Sequence, residues 1–386
     1  MGDRVLEGVS RDASIARPRR LSWAPRPVAG ESLLSWADQV ALGHGVWLWD
    51  AVIALGLGEG MGAVTLHWNR QALVIEAAQW GMSPGLEESV VFRSGLSRAQ
   101  VRLMTLARYR GAVDWPNRPQ ASGVFAFTRH PWAWRDRSNL CPYCLAENGG
   151  RWMLRWRLVW MFLCPEHGCY LVDRCRCGAM LHHARSLAGV SRCTAGAARN
   201  RPGSCQARMV DLPAVPVRDR GLVAIQRRIL DLVESEQEMG AEAREALFEL
   251  VCVARLAMLV GEPFLLAGRG VDPVVFDHFM ALSGRITGER AGARVHAVDR
   301  EPLVPVLAAG LLRIAAEVVF ADDLDAAARR FVACSAGRTE RSDPWVWAAL
   351  TEMWRLAPRV RAALIAGGVP EHYFRAGDPS VAQMRL

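Results

Sequence analysis

Four residues in the middle of the chain constrain its folding more than any other feature. Cys141 and Cys144 stand in the run Cys-Pro-Tyr-Cys. After nineteen intervening residues, Cys164 and His167 stand in Cys-Pro-Glu-His. Two ligands so close together on a tight turn can hold one ion from a single knuckle. A second knuckle supplies the other pair, and three thiolates with one imidazole close a tetrahedron that has no open position. Proline after the first cysteine of each pair favours the turn that aims both side chains inward. The spacing predicts a structural zinc on Cys141, Cys144, Cys164 and His167. Two catalytic readings of the same residues fail. A glutaredoxin-like Cys-Pro-Tyr-Cys needs a strand before it and an exposed thiolate at a helix N-terminus. Here Arg135 to Asn139 do not read as a strand, no βαβ pattern is present, and a matching Cys-x-x-His lies downstream. A deaminase site needs His-x-Glu upstream and proline before the first cysteine, whereas no His-x-Glu precedes Cys141 and Leu140 stands in the proline's place.

A second group follows: Cys175 and Cys177 as Cys-Arg-Cys-Gly, then Cys193 and Cys205. These predict a second zinc with four thiolates, with Cys169 as a spare that could substitute. His182 and His183 read as surface residues, and Cys252 and Cys334 as core thiols in helical, apolar surroundings. Ten cysteines used this way suit a reducing compartment. No apolar run follows Arg17, Arg19 and Arg20, and the longest apolar stretch, Leu303 to Ala321, is broken by Arg313 and Glu317. It reads as a buried helix and not a membrane span, so a cytoplasmic protein with no membrane partner is expected.

The chain carries 47 basic residues, all arginine, against 39 acidic ones, for a net charge of +8. Residues 141–210 hold ten arginines and three acidic residues. Two occupied zinc sites would add about three negative charges, since each ion offsets two thiolates, and the segment would stay positive by about four. Such a surface suits nucleic-acid phosphate or an acidic protein. Arg151, Arg155 and Arg157 interleave with Trp152, Trp156 and Trp160, near Trp132 and Trp134. These three arginines are the candidate nucleic-acid contacts. The tryptophans can stack bases, or supply the apolar cover that a small zinc module lacks. No Ser/His/Asp ordering or paired-carboxylate motif stands out. With no lysine a Walker-type phosphate loop is excluded, so no enzyme is expected.

Around this module the pattern is helical, and the fold class expected is mainly α. Residues 1–114 form a helical, helix-turn-helix-like N-terminal domain. Residues 115–215 form a zinc-ribbon or zinc-finger module, and residues 216–386 a helical C-terminal domain. A first helix starts near Gly30-Glu31-Ser32 and ends at Gly43 and Gly45. Others are predicted over 46–57, 63–80 and 96–109. They fit a helix-turn-helix unit and equally any small helical bundle. Prolines mark linkers at 115–119 and 212–217. Beyond them helices are predicted over 222–236, 241–260, 273–282, 304–320, 324–335, 345–354 and 359–365.

The run Pro27 to Trp36, Pro-Val-Ala-Gly-Glu-Ser-Leu-Leu-Ser-Trp, resembles the opening motif of the TniQ family. Cys141 to Glu147, followed by Arg155-Trp156-Arg157-Leu158, resembles that family's first zinc half. Cys164 to Gly168, Leu171 and Cys175 to Gly178 resemble its second half and the start of its next zinc site. The resemblance covers residues 20–210 or so. It implies a transposition protein that helps select the insertion site by bridging target DNA or a target-recognition complex to an AAA+ transposition ATPase. Some relatives are CRISPR-associated and act as homodimers on an RNA-guided complex, and others bind DNA directly. This chain departs from the pattern at the second site. It opens with Cys-x-Cys where the family usually has Cys-x-x-Cys, and Cys193 and Cys205 are spread apart. The alternative is a zinc-containing transcription regulator acting alone on DNA.

Overall fold

Helix α1 (Leu33–His44) begins and ends where the sequence punctuates it. The Ser32 hydroxyl accepts from the Ser35 amide at its N-terminus, and Gly45 closes it in the left-handed region at φ 64°. The computed structural model describes residues 19–57, 78–109, 133–134, 137–181, 192–193, 205–234, 245–250, 253–254, 257, 271–277, 305–333, 358–369 and 371, and these are mainly helical. After α1 come α2 (Leu48–Ala54), α3 (Pro84–Ser94) and α4 (Arg98–Leu103), the last with a reciprocal Ser97–Gln100 capping box. Most of the helix expected over 63–80 lies outside the described residues, though 78–80 are helical. Helix α3 escaped the sequence reading because it buries few of its residues, Glu87 and Val90. Its signal is punctuation: Ser83 as cap, Pro84 in the first turn and left-handed Gly95 after the end.

The central module is small and irregular. Helix α5 (Pro142–Glu147) has Cys141 as its N-cap, and a 3-10 turn spans Leu154–Arg157. A two-stranded antiparallel hairpin follows, β1 (Leu163–Cys164) and β2 (Cys169–Tyr170), with Leu163 opposite Tyr170 and Cys164 opposite Cys169. The segment 212–217, read from its prolines as a linker, runs along the free edge of β2. Tyr170 N donates to Val215 O at 2.9 Å and Val217 N to Gly168 O at 2.8 Å.

Helix α6 (Arg220–Glu234) lays Leu222, Ile225, Ile229 and Val233 against this module. Helices α7 (Pro305–Val319), α8 (Leu324–Ala333) and α9 (Pro358–Ala366) pack in sequence order behind it. Residues 245–250 and 273–277 are also helical, inside the stretches expected as 241–260 and 273–282. The helix expected over 345–354, the linker at 115–119, His182, His183, Cys252, Cys334 and Trp132 lie outside the described residues. The charges that break the apolar run of α7 are paired. Arg313 sits 3.3 Å from Glu317 one turn on and 3.5 Å from Asp219. No helix among the described residues is long and apolar enough to cross a membrane.

Among the described residues, buried side chains form two clusters. One holds α1 to α4, with Trp36 at its centre. The other runs without a break from Trp80 through the cysteine module to α9. Polar groups join the pieces. Glu31, 1% exposed, accepts from Val28 N, Ser35 Oγ and Arg151 Nη1, and Ser35 Oγ accepts from Trp152 N. The opening motif is thus the joint between the N-terminal helices and the module. On the other side Gln226 of α6 accepts from Phe162 N and Leu163 N and donates to the Met161 sulfur. Tyr170 donates to Asp272 at 2.6 Å, and the same carboxylate accepts from Arg218 N.

Candidate metal centres

The first group of ligands is built by two turns facing each other. Proline at the first helical position of α5 leaves Cys141 as cap and Cys144 one turn in, both directed to the same side. Opposite them the hairpin carries Cys164 at the end of β1 and His167 in the turn. One ligand atom from each of the four lies within 4.8 Å of every other. Cys144 Sγ is 3.4 Å from Cys164 Sγ and 3.3 Å from His167 Nδ1. His167 Nδ1 is 3.4 Å from Cys164 Sγ and 3.6 Å from Cys141 Sγ. A zinc tetrahedron with bonds of about 2.3 Å to sulfur and 2.0 Å to nitrogen has edges of roughly 3.8 and 3.5 Å, so the donor set fits that ion in number, type and spacing.

Electrostatics agrees. The sulfurs by themselves stabilise one thiolate: hydrogen bonds from Cys144, Cys164 and Cys169 hold Cys141 far below the ordinary thiol range, while Cys144, whose proton serves that thiolate, is pushed up to about 12. Three thiolates in so small a space would need a cation among them, the charge that a zinc ion would supply. The far nitrogen of the imidazole completes the arrangement: Nε2 lies 2.9 Å from Glu147 Oε1, a carboxylate that fixes the ring so that Nδ1 faces the sulfurs. Glu166 bridges the knuckle to the module, accepting from Arg155 at 2.8 Å.

The second group, Cys175, Cys177, Cys193 and Cys205, meets the same distance criterion. Cys175 and Cys205 are 3.5 Å apart, and Cys177 and Cys193 are 3.7 Å apart. The short Cys-Arg-Cys-Gly run works because Gly178 takes φ 81°, which lets the Gly178 amide close a turn onto Cys175 O and Cys175 N reach Ala179 O. A bridge between Arg192 and Arg208 brings in the distant cysteines. Cys175 and Cys193 are buried, Cys205 is half-buried and Cys177 is exposed. Cys169, the spare expected to serve this group, stands instead beside the first, 3.7 Å from Cys141 Sγ.

The arginines expected to meet phosphate are placed otherwise. Arg151 pairs with Glu31 at 2.8 Å, and Arg155 pairs with Glu166. Arg157, 1% exposed, donates to Gln79 and to Trp134 O and lies over the Trp80 ring. Each guanidinium is committed to a partner inside the fold, and a polyanion cannot approach the buried Arg157. All three are engaged within the fold, so phosphate contact at Arg151 or Arg155 would require its ion pair to open. Trp152, Trp156 and Trp160 are 2% exposed or less and serve as apolar cover. Their fate follows from close spacing in a module too small to bury them against itself. Exposed arginines cluster instead around the second group, at Arg174, Arg176, Arg192 and Arg208.

Compared with known proteins, the chain matches the TniQ family model over residues 22–171. The comparison with curated proteins gave no match. The matched stretch holds α1 to α4, the Glu31 joint and the whole first metal group, and ends before Cys175.

Proposed function

We propose that this chain, which matches the TniQ family model over residues 22–171, is a transposition-associated protein of that family and acts as a non-catalytic adaptor. In this reading it helps select the insertion site by joining DNA, or a complex already seated on the target, to an AAA+ transposition ATPase. The observation that carries this reading is closure. Each group of four offers one protein ligand atom per tetrahedral position, so a zinc ion held there has no site for substrate or activated water. Metal is then scaffolding, and function lies on surfaces.

Two surfaces support the adaptor reading. Large apolar side chains stay exposed on and beside α1 and α2, at Leu42, Val46, Trp47 and Ile53, where a protein partner would cover them. Arg174, Arg176, Arg192 and Arg208 rim the second cysteine group and suit phosphate. The reading includes zinc at both groups and the division of the chain at about residues 115 and 215.

Purified protein should capture the ATPase of a matching element, and Trp47→Ala with Leu42→Ala should weaken that capture. DNA binding should weaken with salt, each rim arginine changed to glutamine lowering the slope of log K against log salt by about one. DNA binding with no ATPase capture supports a regulator acting alone. Absence of both overturns the adaptor.

A further inference from the structure

Cys169 belongs to neither group of four among the described residues, yet it is built into the first. It stands opposite Cys164 in the hairpin register, and directly paired residues project from the same face of an antiparallel ribbon. That face carries the metal ligands. Its thiol is 2% exposed and lies 3.7 Å from Cys141 Sγ, the length of an edge in a zinc–thiolate tetrahedron. Its backbone is held on both sides, by Cys164 on β1 and by a bridge to Pro216 on the other edge. The side chain is therefore aimed at the centre by three extended segments and turns about one side-chain bond.

The four primary donors are unequal. Cys141, Cys144 and Cys164 are buried, whereas His167 sits at the rim, with its Nε2 engaged by the exposed Glu147. The ligand most open to replacement is thus the imidazole, and the nearest unused donor is Cys169.

We propose that the first centre is a five-donor site in which Cys169 is a reserve ligand that takes the position of His167 on the metal. This rests on the structural-zinc reading. In the exchange the bond from zinc to His167 Nδ1 breaks and a bond to Cys169 Sγ forms. The Cys169 thiol proton passes to the freed imidazole, and no atom changes oxidation state. The centre then has four thiolates and stays closed, so the module keeps its scaffold when the rim ligand is lost.

The test uses the full chain loaded with cobalt(II), whose thiolate charge-transfer band reports the number of bound sulfurs. Spectra recorded in a Cys177→Ser background, where the second group lacks one of its four ligands, isolate the first centre. His167→Ala and the milder His167→Gln, which keeps a side chain able to reach Glu147, should retain as much metal as wild type. Their first-centre band should rise by about a third as three thiolates become four. Mass spectrometry after alkylation should find Cys169 protected in both variants. Adding Cys169→Ser to either should release one metal per chain, whereas Cys169→Ser alone should leave metal content and spectrum unchanged. Loss of one metal from both His167 variants, or retention with an unchanged band, overturns the proposal. Equal metal content in wild type and Cys144→Ala overturns the structural-zinc reading itself and is recognised by that comparison.

Discussion

The two cysteine groups offer an ion nearly the same chemistry and differ in what surrounds them. At the first, three sulfurs are buried in the apolar cluster that continues through α6 to α9, and its knuckles also anchor Glu166 and Arg155. At the second, Cys177 is exposed, Cys205 half-buried, and the neighbours are arginines on the surface. An ion at the first centre is therefore linked to the folding of much of the chain. An ion at the second centre would hold a ribbon whose Cys175 and Cys193 reach the same cluster, but it would lie within reach of solvent beside the exposed Cys177. If each group holds an ion, the contrast predicts that a metal's contribution to stability depends on what its ligands are packed against as much as on the ligands.

The largest effect should come from Cys144→Ala. It removes the first ion and with it folding free energy on the order of 10 kcal/mol. Metal analysis should show one ion fewer, and the cooperative melt should vanish. A melt that survives intact would break the contrast at once. Next in size is the joint that ties the first centre's module to the N-terminal helices. Glu31→Ala leaves Arg151 without its carboxylate and should cost about 3–5 kcal/mol with both ions still bound, measured by denaturant unfolding with metal analysis alongside. Cys177→Ser should release the second ion and cost far less, about 1–2 kcal/mol or under, because the side chain it removes is exposed. With a chromogenic chelator, one ion should leave wild type well before the other, and Cys177→Ser should lack the fast phase. Equal release rates would erase the distinction.

The smallest effect tests the premise that a buried anion needs a cation beside it. Glu249 is fully buried, and the exposed Arg359 reaches to 3.7 Å from its carboxylate. Burial raises its pKa. A carboxyl raised in the folded state contributes its full stability below the unfolded value, near 4.3, and loses it as pH rises through the folded value. Glu249→Met should thus add about 1 kcal/mol at about pH 8 and less at about pH 5, as unfolding curves at the two pH values would show.

Much of this was legible in the sequence because the signals are local. Ser32 and Gly45 bound α1, the cysteine spacing selects both groups of four, and the apolar periods of α6 and α7 place those helices. Local signals also explain a miss, since α3 shows its caps but hardly an apolar face.

The sequence by itself sorted eight candidate ligands into two sets of four, because ligand type and loop length suffice for that, but it put Cys169 with the wrong set. It determined the helical framework too, because caps and periodicity act within a few residues. How each arginine is engaged was left to the tertiary structure: Arg151, Arg155 and Arg157 read as a stripe of cations until Glu31, Glu166 and Gln79 arrive from elsewhere to meet them. The place of Cys169 was settled there as well, since strand register and the return of residues 215–217 turn its thiol toward Cys141. Charge pairing and burial depend on partners distant in sequence, and those meet only when the chain has folded.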